Sequence, residues 1–337
     1  MSYRVDIVDS DHAFDVADGE SVIDAALRAG LMLPYSCRGG TCGTCRGEVI
    51  EGRVDYPDGL PPAIDSAQAE AGEALFCQAR PASDLRIRVR EVRDAGDIRP
   101  QRLPARVERI EQCAPDVRRL FLRLPRDKRL AFLAGQYIDF LLRGGQRRSF
   151  SLANAPHDDE TLELHVRHLP GGVFSGHVFT DMREGALLRF EGPLGNFFLR
   201  EASDRPMILM AGGTGFAPIK GIIEHALHIG VERPMHVYWG ARARRDLYLE
   251  GLAQQWARQH DRIAYTPVLS EPAGDDAWTG ATGFVHEQVV ADHPDLSGFE
   301  VYMSGPPPMI NAARTAFSEA GLPGDRLYYD SFEAAPE

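Results

Sequence analysis

The chain lacks any apolar run approaching the ~20 residues that a membrane-spanning helix needs, which excludes a helical membrane protein. Its opening residues, MSYRVDIVDS, lack the basic stretch and apolar segment of a secretion signal, and the expectation is a cytoplasmic protein. Lysine is missing altogether from residues 1–92, where nine Arg face sixteen Asp plus Glu, a net charge of −7. With −12 over the whole chain, nucleic acid is excluded as a partner, because phosphate backbones select basic faces. The acidic N-terminal quarter reads either as a solvated surface or as a docking face for a partner protein. Cysteine is scarce and odd in number, five in 337 residues, so a disulfide scaffold does not fit. Internal repeats and low-complexity tracts are absent too.

What is present divides into blocks. Residues 2–9 alternate Tyr3, Val5 and Ile7 with polar neighbours, and HAFDVADGE continues as a second strand, together a hairpin. SVIDAALRAG follows as a short helix that Ser21 caps and Gly30 ends. RGEVIEG and LRIRVREV are further strands, and residues 1–92 form one compact β-rich domain. The stretch RDAGDIRPQRLP, with Gly, two Pro and no periodicity, reads as a linker over residues 93–103. Residues 104–200 hold short alternating strands separated by turns, the pattern of an antiparallel sandwich or barrel. Residues 204–330 alternate strands such as PMILMAGG with helices such as APIKGIIEHALHIG, which implies a parallel, doubly wound sheet.

Three of the five cysteines lie in nine positions: Cys37-x4-Cys42-x2-Cys45, with Cys77 thirty-one residues on. That is the plant-type ligation spacing for a [2Fe–2S] cluster, whose two irons need four thiolates. Zinc shows paired C-x2–4-C knuckles, and here Cys77 stands alone. Gly39, Gly40, Gly43 and Gly47 suit a loop that wraps a cluster, since glycine reaches positive φ without strain. Cys113 has no partner and reads as a free thiol. Residues 1–92 resemble plant-type ferredoxins, and all four ligands are present; the resemblance implies a β-grasp fold.

In the middle block, Arg148-Ser149-Phe150-Ser151 resembles the R-x-Y-S motif of ferredoxin–NADP reductase-like flavoproteins, with Phe for Tyr. The resemblance implies FAD: Arg148 on the pyrophosphate, Phe150 against the isoalloxazine, and Ser151 near the atom that receives hydride. Gly171, Gly172, Val173 and Ser175 resemble the family's G-G-x-F-[ST] segment, offered to pyrophosphate, and His165, Val166 and Arg167 lie on the strand where the family lines the flavin chain. His165 and His168 do not form a metal pair, because i and i+3 on a strand face opposite ways. GPLGNF, residues 192–197, is either a family segment or a plain turn.

In the last block, Gly212, Gly213, Thr214 and Gly215 stand between a buried strand and a helix, where glycines permit a tight turn and close pyrophosphate approach. With Pro218 the stretch resembles this reductase family's nucleotide loop. Gly240 and Arg242 resemble positions near the adenosine ribose. Arg242, Arg244 and Arg245 form either a 2′-phosphate site or a solvated basic turn, and NADH is the favoured donor. Ser304, Gly305 and Pro306 resemble the family's C-G-P-P motif with Ser for Cys, beside the nicotinamide at the transfer point. Near the end, YYDSFE is either a frayed tail or a segment whose Phe332 shields the flavin.

The whole chain is thus similar to iron–sulfur flavoprotein reductases. AGQYIDFLLR, NAPHDD, FEGPLG and GTGFAPIK carry a closer resemblance to the reductases, described as CDP-6-deoxy-Δ3,4-glucoseen reductases, of CDP-6-deoxy-4-hexulose-3-dehydrase systems. The fold expected is multidomain: a β-grasp ferredoxin-like domain, an antiparallel β-barrel flavin domain and an α/β parallel-sheet nucleotide domain. Electron counting gives the activity. NAD(P)H gives two electrons as hydride, the cluster accepts one at a time, and FAD between them splits the pair, with Ser151 and Ser304 at the point of transfer. The electron-accepting partner is such a dehydrase or, alternatively, an oxygenase component. A non-catalytic electron carrier or redox sensor is a third reading, supported only by the Phe150 and Ser304 departures. A monomer is expected.

Overall fold

The computed structural model describes residues 2–96, 98–274 and 276–333. The chain forms two compact units.

The first contains the residues up to Pro100, together with Leu194–Asn196. Strand Ser2–Ile7 pairs antiparallel with Ala13–Ala17 and parallel with Leu85–Arg88, and Arg46–Glu51 and Glu73–Leu75 complete a five-stranded sheet. Helix Val22–Arg28 buries Val22, Ile23, Ala25 and Ala26. Each Val or Ile so buried contributes roughly 1.5–3 kcal/mol. Ser21 Oγ accepts from Asp24 N at 3.1 Å and caps the helix. Gly30, at φ 81°, ends it. In the stretch expected to be a linker, Arg93–Asp94 pair with Leu31–Met32, and Gln101 opens a long strand.

The second unit holds Gln101–Pro193 and Phe197–Phe332. Its first half is a six-stranded sheet in the order Arg147–Ser151, Tyr137–Leu141, Leu187–Leu194, Gln101–Ala114, Val117–Arg123, Leu162–Arg167. A bridge between Leu152 and Leu164 joins the two ends, so the sheet closes into a barrel. Alternation decides which side chains fill it. Leu162, Leu164 and Val166 enter the core with Ile138, Phe140 and Phe190, and Glu163, His165 and Arg167 face outward.

The second half is a six-stranded sheet, parallel throughout, with Met207–Gly212 at its centre between Met235–Ala241 and Glu300–Gly305. All six residues of Met207–Gly212 are buried, as a strand covered on both faces requires. Leu209, Ala211, Val237 and Trp239 pack against helices Phe216–His228 and Glu250–Gln259. Ile208, Met210, Tyr238 and Met303 pack against Val285–Asp292 and Pro307–Glu319. The chain thus winds outward from the central strand in both directions. The ends of Met207–Gly212 and Glu300–Gly305 make the crevice where such sheets bind ligands. No helix among the described residues is long and apolar enough to cross a membrane.

Candidate redox sites

The cysteine loop runs from Met32 to Arg46, and Cys77 follows the strand Glu73–Leu75. Cys42, Cys45 and Cys77 are buried, and Cys37 is half-buried. Cys42 Sγ donates to Thr44 Oγ1 at 3.3 Å. Among the described residues no three His, Cys, Asp or Glu side chains converge as they would on a single metal ion. Cys37 Sγ accepts from Gly39 N at 3.4 Å, Thr41 Oγ1 at 3.4 Å and Cys42 N at 3.5 Å. The bond from the Cys42 thiol outweighs burial and, with these donors, brings the Cys37 thiol down to about 5. Its partner Cys42 is pushed up, first by that shared bond and then by burial.

Gly40 takes φ 76°, and a Cβ there would lie 2.7 Å from Pro61 Cβ, so the loop closes only on glycine. Gly43 also has positive φ, whereas Gly47 lies within a strand and is required for room, its Cβ site being 2.4 Å from the Phe76 ring. Arg38 takes φ 56° without being glycine. It is held there by an ion pair with Asp24 and by Gln78 Nε2, which donates to its carbonyl at 2.6 Å. Neither Asp24 nor Gln78 carries a motif. Asn196 N donates to Tyr35 O at 3.0 Å within the first unit.

On the barrel, the R-S-F-S strand pairs Ser149 with Asp139 and Ser151 with Tyr137. Ser149 Oγ donates to Asp139 Oδ1 at 2.6 Å. Ser151 is buried, and its hydroxyl donates to Asp330 Oδ2 at 2.9 Å, a partner 179 residues away that sequence reading did not find. Arg148 Nη1 donates to its neighbour's carbonyl at 2.7 Å. Phe150 is half-buried against Phe174 and Phe140, with ring centroids 5.1 and 5.7 Å away.

Gly171 takes φ 77°, and Gly172 starts helix Val173–Thr180, which no side chain caps. Ser175 Oγ is occupied within this turn, accepting from Leu169 N at 3.1 Å. Two residues expected to line the flavin chain have their side chains turned into the protein. Val166 is fully buried in the barrel core, because strand alternation sends it inward. His165 has both ring nitrogens engaged inside the protein, with Tyr248 and Glu163 at 2.8 Å each. Arg167 differs. Its Nε and Nη2 are buried without hydrogen-bond partners among the described residues, Asp116 offers charge at 3.2 Å without alignment, and Nη1 lies 2.9 Å from the Cβ site of Gly213. Buried N–H groups left this way favour an anionic ligand.

The nucleotide loop is the turn Gly213–Gly215 between strand Met207–Gly212 and helix Phe216–His228. A Cβ on Gly215 would sit 2.0 Å from Ser304 O, so this residue can only be glycine. Thr214 lies within the turn, and Pro218 in the helix's first turn costs no hydrogen bond. Trp239 Nε1 donates to Gly213 O at 2.9 Å, and its ring stacks on Phe216 at 3.8 Å. Ser304 pairs across the sheet with Ala211. Its hydroxyl is fully buried and has no partner among the described residues. The Ser304 backbone packs against Gly215, and an orphaned buried hydroxyl on that residue is a polar handle for a ligand.

Pro306 caps the following helix, and Phe332 N donates to Gly305 O at 3.0 Å. Leu327–Ser331 is a strand of the sheet, not a frayed tail, and Phe332 is partly exposed beyond it. Arg244 is engaged with Asp276 and Glu250, while Arg242 is exposed. Val285 crowds Gly240, whose Cβ site is 2.8 Å from the Val285 side chain.

Comparison with known proteins matches three family models in chain order. They are a 2Fe-2S iron-sulfur cluster binding domain over residues 5–82, an oxidoreductase FAD-binding domain over 104–199 and an oxidoreductase NAD-binding domain over 209–315. The chain is 40% identical to the CDP-6-deoxy-L-threo-D-glycero-4-hexulose-3-dehydrase reductase of Yersinia pestis, across 98% of this chain and 99% of that one. The chain belongs to the iron–sulfur flavoprotein reductases. It is also 37% identical to reductase component 1 of a Comamonas terephthalate 1,2-dioxygenase, over 100% of this chain and 99% of that one. The crystal structure of an Amycolatopsis cytochrome P450 reductase, GcoB, superposes with a TM-score of 0.84 at 35% identity, covering 99% and 100% of the two chains. This iron–sulfur flavoprotein reductase is therefore an NAD(P)H-dependent oxidoreductase with a [2Fe–2S] cluster and FAD.

Proposed function

We propose that this reductase takes electrons from NADH and delivers them singly to a 3-dehydrase acting on a CDP-linked 6-deoxy-4-hexulose. The observation that carries the donor end is the orphaned, fully buried hydroxyl of Ser304, the residue whose backbone packs against Gly215 of the glycine turn. The acceptor rests on the 40% identity to a dehydrase reductase over 98% of the chain. When bound, FAD supplies the conversion from a two-electron donor to a one-electron acceptor.

In this reading Cys37, Cys42, Cys45 and Cys77 ligate the cluster, and Thr41 and the Gly39 N–H stabilise negative charge on the Cys37 sulfur. Arg148 and the uncapped helix end at Gly171, Gly172, Val173 and Ser175 hold flavin pyrophosphate. Phe150 supports the ring, and Asp330 orients the Ser151 hydroxyl toward it. Gly212, Gly213, Thr214, Gly215 and Pro218 receive the nicotinamide dinucleotide, with Arg167 neutralising phosphate charge at Gly213. Ser304, Gly305 and Pro306 seat the nicotinamide, and Phe332 covers the flavin. Gly240 and Arg242 border the adenosine ribose. With the Arg244 guanidinium 3.7 Å from Glu250 Oε2, the basic turn offers less to a 2′-phosphate, which supports NADH over NADPH.

The proposed domains are residues 1–92, 104–200 and 204–330 with a linker at 93–103, in a cytoplasmic monomer. Anaerobic titration with NADH and NADPH tests the donor: flavin and cluster absorbance should bleach at lower NADH. Transfer to purified 3-dehydrase, set against transfer to an oxygenase component, tests the acceptor. The second reading, an oxygenase reductase, has the 37% identity to a dioxygenase component behind it. Faster turnover with the oxygenase would replace the dehydrase assignment.

A further inference from the structure

Lys220 is one of two lysines in the chain, and it is 5% exposed. Such a residue is rarely buried without ionic partners. Its ammonium donates to Glu224 Oε2 at 2.8 Å, Glu163 Oε2 at 3.0 Å and Ala153 O at 3.2 Å. Glu163, also 5% exposed, further accepts from Arg119 Nε and bonds His165 Nε2, both at 2.8 Å. Burial opposes ionisation of Glu163, yet these partners, His165 foremost, hold its carboxyl well below the usual range.

An ionised carboxylate only accepts. His165 must therefore donate from Nε2, which leaves Nδ1 to accept from the Tyr248 hydroxyl at 2.8 Å. Burial keeps His165 neutral and Tyr248 protonated, as that order of donors requires. The result is one continuous network. Arg119, Ala153, Glu163 and His165 belong to the barrel half, and Lys220, Glu224 and Tyr248 to the nucleotide half. An open cavity of about 810 Å³ lies against it. None of the residues expected to hold flavin or nicotinamide lines that cavity.

The network's place in the fold gives it a use. Lys220 sits on the helix that begins at the glycine turn, and Glu163 and His165 sit on the strand that carries Arg167 to that turn. Helix and barrel also touch backbone to backbone: a Cβ on Gly221 would be 3.0 Å from Asn154 O. We propose that Lys220 and Glu163 are positioning residues. Their buried ion pair, keyed by His165 and Tyr248, fixes the nucleotide helix on the flavin barrel and so sets the hydride-transfer distance. This rests on the nicotinamide reading above.

The test uses the holoenzyme in anaerobic stopped flow, with Lys220→Met, Lys220→Arg and the double variant Glu163→Gln/Lys220→Met. Misplacement of about 1 Å costs on the order of 100-fold in rate. Flavin reduction at saturating NADH should therefore fall about 10–100-fold in Lys220→Met, with the NADH dissociation constant little changed. The long-wavelength charge-transfer absorbance of the nicotinamide–flavin complex should weaken, and Lys220→Arg should recover part of both signals. In the flavin-free protein, hydrogen exchange should rise over residues 216–228 and stay low over 207–212.

The double variant removes both members of the Glu163–Lys220 pair, leaves Arg119 its bridge to Glu111 and only the partly exposed Glu224 without a partner, and should regain part of the thermal stability that Lys220→Met loses. It therefore carries the test if the single variant does not fold. Flavin reduction should stay slow in it. If rate and thermal midpoint recover together, the pair serves charge balance alone and the proposal fails. A wild-type rate in Lys220→Met would also overturn it. Wild-type protein that NADH does not reduce would overturn the nicotinamide reading and this proposal with it.

Discussion

Ser304→Ala should make the nucleotide-free enzyme more stable and the enzyme slower. The Ser304 hydroxyl is fully buried with no partner among the described residues, so the folded protein bears its desolvation without compensation. An unsatisfied buried polar group costs about 1–3 kcal/mol. Removing it should therefore raise the melting midpoint by about 2–12 °C, at roughly 2–4 °C per kcal/mol for a unit of this size. The void left by one oxygen is small and subtracts little. Saturating NAD⁺ should then stabilise wild type more than the variant, because the hydroxyl finds its partner only in the complex. Calorimetry of the flavin-loaded protein with and without NAD⁺ measures both quantities, and stopped flow gives the rate of flavin reduction. A variant that melts below wild type without nucleotide would show that the hydroxyl is already bonded in the free enzyme. Equal gains from NAD⁺ in both proteins would remove Ser304 from the nicotinamide site.

Cys45→Ser should abolish the cluster's visible absorbance while NADH oxidation with a two-electron acceptor continues, since Cys45 belongs to the first unit and the nucleotide and flavin motifs to the second. Loss of both activities would contradict separate sites. Gly215→Ala should eliminate NADH reduction of the flavin, because its Cβ would lie 2.0 Å from Ser304 O and backbone must move; retained reduction would refute the tight turn. Burial, and secondarily His293, lowers the His236 pKa to about 4, so the unfolded chain binds the extra proton first. Stability present above about pH 6.5 should fall as pH drops toward 4, and His236→Gln should flatten that slope. An unchanged slope in the variant would assign it elsewhere.

The cluster was legible because its ligands are a spacing, and spacing survives in one dimension. The same holds for the strand–glycine–helix order around Gly212–Gly215 and for the capping of Val22–Arg28 by Ser21. What escaped was pairing between distant residues. Asp330 reaches Ser151 across 179 positions, Trp239 fastens Gly213, and Lys220 meets Glu163, with no local pattern to announce any of them. The inward placement of the Val166 and His165 side chains has another cause. Three consecutive strand residues cannot face one ligand, because alternation turns the middle one into the core. Applied to H-V-R, that rule keeps Arg167 on the nucleotide side, removes Val166, and leaves His165 free to join an internal network.

The burial of Lys220 has a practical side for anyone who labels this protein. With only two lysines, one of them enclosed, the chain presents a single accessible ε-amine, Lys128, whose side chain is 53% exposed. Amine-directed dyes and cross-linkers should couple there and at the α-amine alone, placing one reporter on the barrel half without engineering a cysteine beside an iron–sulfur cluster. Digestion specific for lysine should likewise cut the native fold once, after Lys128, and a second cut after Lys220 would report that the nucleotide helix has come away from the barrel.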